Sequence, residues 1–230
     1  NNIKAVNASA FDISAACSGF VYAASIVDKF IKSGTVKNAL VVGSEILSRI
    51  VDWSDRNSCL LFGDGAGAVV LQADNGNSGI LDTFMMSDGS NWDLLSQPAP
   101  GNRNPASYKV VDDRLAFIRM QGNEVFKLAV RAMEDAALKA LAAGHMTPAD
   151  VDLFIPHQAN RRIIDAIGKR LGIPAEKVYV NIERFGNTSS ASIPIALDEA
   201  NRKGLIKPDN ILLLDAFGGG MAWGAVTIRW

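Results

Sequence analysis

Residues 17–43 read CSGFVYAASIVDKFIKSGTVKNALVVG, and residues 187–214 read NTSSASIPIALDEANRKGLIKPDNILLL. In each stretch small residues open an apolar-faced helical run, a glycine closes it and a β-rich run follows. Gly34 stands 17 positions after Cys17, and Gly204 stands 17 after Asn187. The parallel extends downstream, where Phe62-Gly-Asp-Gly-Ala-Gly-Ala-Val-Val is echoed by Phe217-Gly-Gly-Gly-Met-Ala-Trp-Gly-Ala-Val. Similarity at two levels predicts a duplicated fold of two related αβ units. In this register Asn187 holds the place in the second unit that Cys17 holds in the first. Two helix N-termini are then expected to face one another across a shared site.

Working outward, hydrophobic periodicity predicts strands over 10–13, 39–43, 68–71, 151–155, 178–182, 210–215 and 224–229. Helices are expected over 18–32, 122–142, 160–171 and 189–202. Such alternation reads as α/β with layered sheets and helices. The polar stretch 87–107, rich in Pro, Gly and Asn, is expected to be a surface loop or lid. Of the 230 residues, 48% are hydrophobic and 20% charged, which points to strands buried on both faces. Lys and Arg number 23 against 24 Asp and Glu, a net charge of −1 that argues against a general nucleic-acid binder. Two cysteines form no disulfide framework, and neither a signal-peptide core nor a bilayer-length apolar run appears. A reduced cytoplasmic setting is the expectation, with no membrane partner. The chain opens on Asn1 rather than Met, and a preceding portion is expected to be missing.

Three residues stand where chemistry is expected. Cys17 lies in Phe11-Asp-Ile-Ser-Ala-Ala-Cys-Ser-Gly-Phe20, at a sharp passage from strand into helix. Small neighbours leave the thiol approachable, and the positive helix end predicts a thiolate with a depressed pKa. His157 follows a strand and opens a helix, the end of a parallel strand at which α/β proteins hold ligands. There the imidazole is expected to be a neutral hydrogen-bond donor. Asn187 again lies between a strand and a small-residue helix. Read alone, each has a plain alternative: a buried structural cysteine, a capping histidine, a capping asparagine. Cys59 reads as core and His145 as surface. The glycine runs at 63–67 and 218–224 lack G-x-G-x-x-G spacing and precede strands, which disfavours a dinucleotide site. Glycine after strand 210–215 instead suits close backbone approach to a reacting oxygen.

Five ordered motifs carry a resemblance over the whole chain. They are Asp12-Ile-Ser-Ala-Ala-Cys17-Ser-Gly-Phe, Leu61-Phe-Gly-Asp-Gly-Ala-Gly-Ala, Pro156-His157-Gln-Ala-Asn160, Gly186-Asn187-Thr-Ser-Ser-Ala-Ser-Ile-Pro and Phe217-Gly-Gly-Gly-Met-Ala-Trp-Gly. Together they closely resemble the β-ketoacyl-acyl carrier protein synthase III family. The resemblance implies a thiolase-like duplicated αβαβα layered fold with an incomplete first repeat, over 1–115 with its lid loop, and a second repeat over 116–230. It implies a homodimer that condenses an acyl-CoA primer with malonyl-acyl carrier protein, initiating type II fatty acid synthesis through an acyl-Cys17 intermediate. His157 and Asn187 would complete the catalytic set, and the backbone N–H groups of Cys17 and Gly219 would form the oxyanion hole. Arg56, Gly122, Phe126, Asn160, Arg162 and Phe217 would bind substrate. For an acidic carrier protein, the spacing of Lys127 and Arg131 on one helix and of Arg161, Arg162, Lys169 and Arg170 around the helix opened by His157 offers a cationic docking face, a solvated face being the plain alternative. Neither metal nor cofactor is expected, the CoA thioester being substrate. The alternatives are an acyltransferase of secondary metabolism built the same way, or an inactive truncated chain.

Overall fold

The structure, a computed structural model, describes residues 3–230. In chain order its elements are α1 (Gly19–Lys32), β1 (Asn38–Ile46), β2 (Asp64–Gln72), β3 (Gly79–Ser87), β4 (Leu95–Ser96), α2 (Tyr108–Asp112), β5 (Arg119–Met120) and α3 (Gly122–Ala143). There follow β6 (Leu153–Pro156), α4 (Arg161–Leu171), α5 (Ile182–Phe185), α6 (Ser192–Arg202), β7 (Ile211–Gly218) and β8 (Ala222–Arg229). Strands β1 and β2 form an antiparallel pair, while a mixed sheet runs β3-β8-β7-β6 with only β6 and β7 parallel.

Two apolar clusters lie on opposite faces of the mixed sheet. Val125, Met133, Ala137 and Leu141 of α3 and Ile163 and Ile167 of α4 pack on one face with Phe154 and Leu213. On the other, Phe20 and Val21 of α1 and Ile193, Ala196 and Leu197 of α6 pack against Leu212, Leu214 and Val226, and against Val41 of β1. The order is helix, sheet, helix, sheet, four layers of the predicted five. The outer face of the β1–β2 pair leaves Leu40, Val42, Ile46 and Val70 exposed.

The duplication is visible in the backbone. A 3-10 turn, Ala16–Ser18, leads into α1, and another, Ser189–Ala191, leads into α6. Each turn opens on a non-glycine residue of positive φ, Ala16 at 44° and Ser189 at 49°, and Gly34 and Gly204 follow the two helices at 75° and 66°. This corrects the register: the turns align Cys17 with Ser190, three residues beyond Asn187. The equal spacing of 17 arose because α1 has 14 residues and α6 has 11.

Glycines seat the halves on one another. A Cβ on Gly43 of β1 would lie 2.5 Å from the Ser190 carbonyl oxygen, and one on Gly218 of β7 would lie 2.6 Å from the Cys17 nitrogen. Each repeat's turn thus rests on a glycine in the other repeat's strand. Gly67 of β2 meets Pro194 and Ile195 of α6, and Gly224 of β8 meets Val21 of α1 in the same reciprocal way. The 63–67 glycine run serves this contact.

Four further expectations change. Residues 10–13 form no strand among the described residues. Over 178–182 only Val178 bridges to Phe154, because the buried Gln158 side chain accepts the Asn181 N–H at 3.0 Å and α5 begins at Ile182. The periodicity missed β3, whose apolar run is interrupted by Asp82 and Thr83 at a register shift against β8. The 87–107 stretch contains a 3-10 segment, Gly89–Leu94, and β4, which pairs with β5.

Gly43→Ala is expected to destabilise the chain by about 1–3 kcal/mol through overpacking against backbone. Gly89→Ala, which meets open space, should stay within about 0.5 kcal/mol of the parent. Urea denaturation of both variants checks this, and equal midpoints would mean that the turn is not seated on Gly43.

Candidate active site

Cys17, His157 and Asn187 are all buried, at 8%, 1% and 7% exposure. One six-residue segment, 187–192, touches all three. The Asn187 side-chain Oδ1 accepts the Ser189 N–H at 2.8 Å, leaving the amide Nδ2 free to donate. The Ser189 hydroxyl lies against the Cys17 thiol, and Ser192 Oγ lies 2.6 Å from His157 Nδ1. The Asn187 backbone joins the first repeat too, donating to the Leu61 carbonyl at 2.8 Å and accepting from Gly63 at 2.9 Å. His157 is held from beneath, its N–H donating to the Asp215 carbonyl at 2.7 Å. Gly218 brings its backbone against the turn that carries Cys17, while Gly219 faces the Leu95 carbonyl with the Ala16 side chain beyond it.

Burial governs the electrostatics. It lowers the His157 pKa to about 4, so the imidazole is neutral at physiological pH, as expected. It pushes the Cys17 thiol up to about 11; the Ser189 hydroxyl opposes this and the Glu45 carboxylate adds to it. This runs against the expected thiolate: withdrawal from water raises the thiol despite the Ser189 hydroxyl and the Cys17 backbone N–H, which both lower it. Asp215 is fully buried with neither carboxyl oxygen hydrogen-bonded, and burial raises it well above its ordinary 3.8. Among the described residues no group of three His, Cys, Asp or Glu is placed to hold a metal ion, and no helix is long and apolar enough to cross a membrane.

The structure sets the Arg162 guanidinium 5.3 Å from the Phe126 ring centroid, so two of the expected substrate residues meet. Asn160 caps α4, its Oδ1 accepting the Ile163 N–H at 3.0 Å. Arg56 and Gly122 are exposed. Phe217 is buried, 6.4 Å from the Trp223 ring, and lines a cavity of about 210 Å³ with Leu128, Arg131, Met221 and Trp223. The expected docking cations are partly neutralised within the chain. Lys127 pairs with Glu124 at 2.8 Å, Arg161 with Asp165 at 2.8 Å and Arg170 with Glu134 at 2.7 Å. Lys169 and Arg131 are exposed with no ion pair among the described residues. His145 is exposed as expected, whereas Cys59 is half-buried rather than core. The sequence reading missed Ser189, Ser192, Glu45 and Asp215. The two serines looked like small helix-opening residues, and their only signal was their position just after Asn187.

Two related αβ units with a thiol, a neutral imidazole and a carboxamide gathered between them define a thiolase-like condensing acyltransferase. Comparison with known proteins agrees. Residues 11–89 match the family 3-oxoacyl-[acyl-carrier-protein (ACP)] synthase III, and residues 141–230 match its C-terminal part. The beta-ketoacyl-[acyl-carrier-protein] synthase III of Caldanaerobacter subterraneus subsp. tengcongensis is 50% identical over 229 residues, covering 100% of this chain and 69% of that protein. The crystal structure of the synthase III from Aquifex aeolicus VF5 superposes with a TM-score of 0.91 at 51% identity, covering 100% of this chain and 70% of that one. The priming beta-ketosynthase of the R1128 polyketide pathway superposes at 0.89 with 36% identity, covering 99% and 67%. The chain belongs to the 3-oxoacyl-[acyl-carrier-protein] synthase III family.

Two measurements follow from the buried groups. Because the folded-state pKa of Asp215 is raised, the ionisation-linked part of its burial cost is absent below 3.8 and grows as pH rises above that value. Asp215→Asn should therefore raise the melting temperature at pH 7, with the gain closing as pH falls toward 3.8. A gain that persists in acid would place its origin elsewhere. The rate of Cys17 alkylation by iodoacetamide should keep rising with pH toward about 11. Levelling off near ~7, as for thiols activated at helix N-termini, would mean that the helix end wins over burial.

Proposed function

We propose that Cys17 is the acyl carrier and that His157 and Asn187 serve the decarboxylating half of the reaction. The chain is an acyltransferase that condenses an acyl-CoA primer with malonyl-acyl carrier protein at the start of type II fatty acid synthesis. In the first half the Cys17 sulfur attacks the primer carbonyl, the new C–S bond forms and CoA leaves as the thiol, carrying the proton. The backbone N–H groups of Cys17 and Gly219 would receive the developing oxyanion, a reading supported by the close approach of the adjacent Gly218 to the Cys17 nitrogen. In the second half malonyl thioester loses carbon dioxide, and its carbonyl oxygen takes up negative charge as an enolate. His157 Nε2 and Asn187 Nδ2 would donate to that oxygen. The enolate carbon then attacks the acyl-Cys17 carbonyl and the C–S bond breaks, giving the 3-oxoacyl carrier protein and the Cys17 thiolate, which takes a proton from solvent to restore the thiol.

The observation that supports this reading is that segment 187–192 holds one side-chain atom of each residue, the Ser189 N–H donating to Asn187 Oδ1 and Ser192 Oγ lying 2.6 Å from His157 Nδ1, while Asn187 Nδ2 and His157 Nε2 have no partner among the described residues. Arg56, Gly122, Phe126, Asn160, Arg162 and Phe217 are assigned to the CoA and pantetheine path. Lys127, Arg131, Arg162, Lys169 and Arg170 are assigned to carrier docking, where Arg131, Arg162 and Lys169 are exposed and free of ion pairs among the described residues. A homodimer, the absence of a cofactor and a cytoplasmic setting belong to the same reading through the family alone. Likeness to the R1128 priming ketosynthase favours a second reading, in which the same centre supplies secondary metabolism.

Intact-protein mass spectrometry after incubation with acetyl-CoA should place one acyl group on Cys17. His157→Ala and Asn187→Ala should each lower malonyl decarboxylation on the order of 10²–10³-fold while acylation falls less. Label persisting in Cys17→Ala or mapping to Cys59 would sink the assignment, as would variants that lose acylation first.

A further inference from the structure

We propose that Ser192 is a positioning residue that fixes the tautomer of His157, keeping Nδ1 bare and the proton on Nε2. The inference rests on the donor role assigned to His157 above. Ser192 is the first residue of α6 and is buried. Its Oγ has two partners among the described residues: the Gln158 N–H, which donates to it at 3.3 Å, and His157 Nδ1 at 2.6 Å. An N–H can only donate, so the Gln158 contact uses the hydroxyl oxygen as acceptor. The hydroxyl hydrogen then has one acceptor within reach, His157 Nδ1.

The alternative tautomer fails on the same count. With the proton on Nδ1, imidazole and Gln158 would both donate to Ser192 Oγ, and the hydroxyl hydrogen would be buried without an acceptor, a cost proteins avoid. Only one arrangement satisfies all three groups: Gln158 N–H to Ser192 Oγ, and Ser192 O–H to His157 Nδ1. It leaves Nε2 protonated, with no hydrogen bond of its own among the described residues. The donor assigned to the enolate is therefore set before substrate arrives. Gln158 is locked in turn, its side chain donating to the Pro156 and Tyr179 carbonyls at 2.8 and 3.2 Å and accepting from Asn181. The hydroxyl thus has a rigid frame to act from.

The chain has only two histidines, so ¹⁵N-histidine labelling gives a spectrum of two rings, with His145→Gln identifying the other. The nitrogen pattern of His157 should report Nε2–H in the parent and a shift toward Nδ1–H in Ser192→Ala. Ser192→Thr, which keeps the hydroxyl, should restore Nε2–H. Malonyl decarboxylation should fall about tenfold in Ser192→Ala, the equilibrium weight of one ordinary net hydrogen bond. The loss should appear in kcat rather than KM, with Cys17 acylation unchanged. A parent ring protonated on Nδ1, or an Nε2–H pattern untouched by Ser192→Ala, would overturn the proposal. These spectra do not depend on turnover. If His157→Ala left decarboxylation intact, the donor role would fall while the tautomer result stood or fell by the spectra alone.

Discussion

The molecule is organised by the approach, to backbone contact, of two short turns that belong to different repeats. Gly43 and Gly218 permit that approach, since a methyl group at either would overlap main-chain atoms of the turn it faces. Everything chemical follows from it. Turn 16–18 presents Cys17, and turn 189–191 lies within a segment that contacts Cys17, His157 and Asn187 at once. The sheet register, the glycines of β2 and β8 and the central pair of helices hold those turns in place. Left-handed backbone at Ala16 and Ser189 is strain of the kind that surroundings must impose, and both residues sit where the halves clamp together.

Burial has a common sign across the centre. It favours thiol over thiolate at Cys17, imidazole over imidazolium at His157 and carboxyl over carboxylate at Asp215. These three side chains thus rest neutral, with the Glu45 carboxylate the charge that acts on the thiol. Fixed donors in such surroundings act most strongly on charge that appears during reaction, because no solvent must reorganise and none screens them. A resting charge would already have been compensated.

Much of this was legible in the sequence because helix starts carry local signals. Cys17, His157 and Asn187 each stand beside such a start, and α1, α3, α4 and α6 lie within a few residues of their expected ranges. What escaped was set by contacts between segments distant in the chain. The three-residue register error came from counting between a motif and a glycine, whereas the turns themselves define the equivalence. Strand β3 is held by β8, and the Thr227 hydroxyl that accepts the Asp82 N–H at 3.1 Å is 145 positions away. The elevated thiol reflects how much protein closes over Cys17, which no local pattern reports. The glycine runs drew attention to ligands, but those of β2 chiefly admit a helix.

A neutral imidazole has a consequence for what becomes of the carbanion. An imidazolium beside a newly formed enolate would be an acid strong enough to quench it, and the malonyl unit would be spent as a simple acetyl thioester. A ring that ionises only near 4 can bind the enolate oxygen yet has no readily lost proton to deliver to carbon. With His157 as the proposed enolate donor, its burial would act on the partition ratio of the intermediate, lengthening the nucleophile's lifetime and biasing its fate toward the carbon–carbon bond.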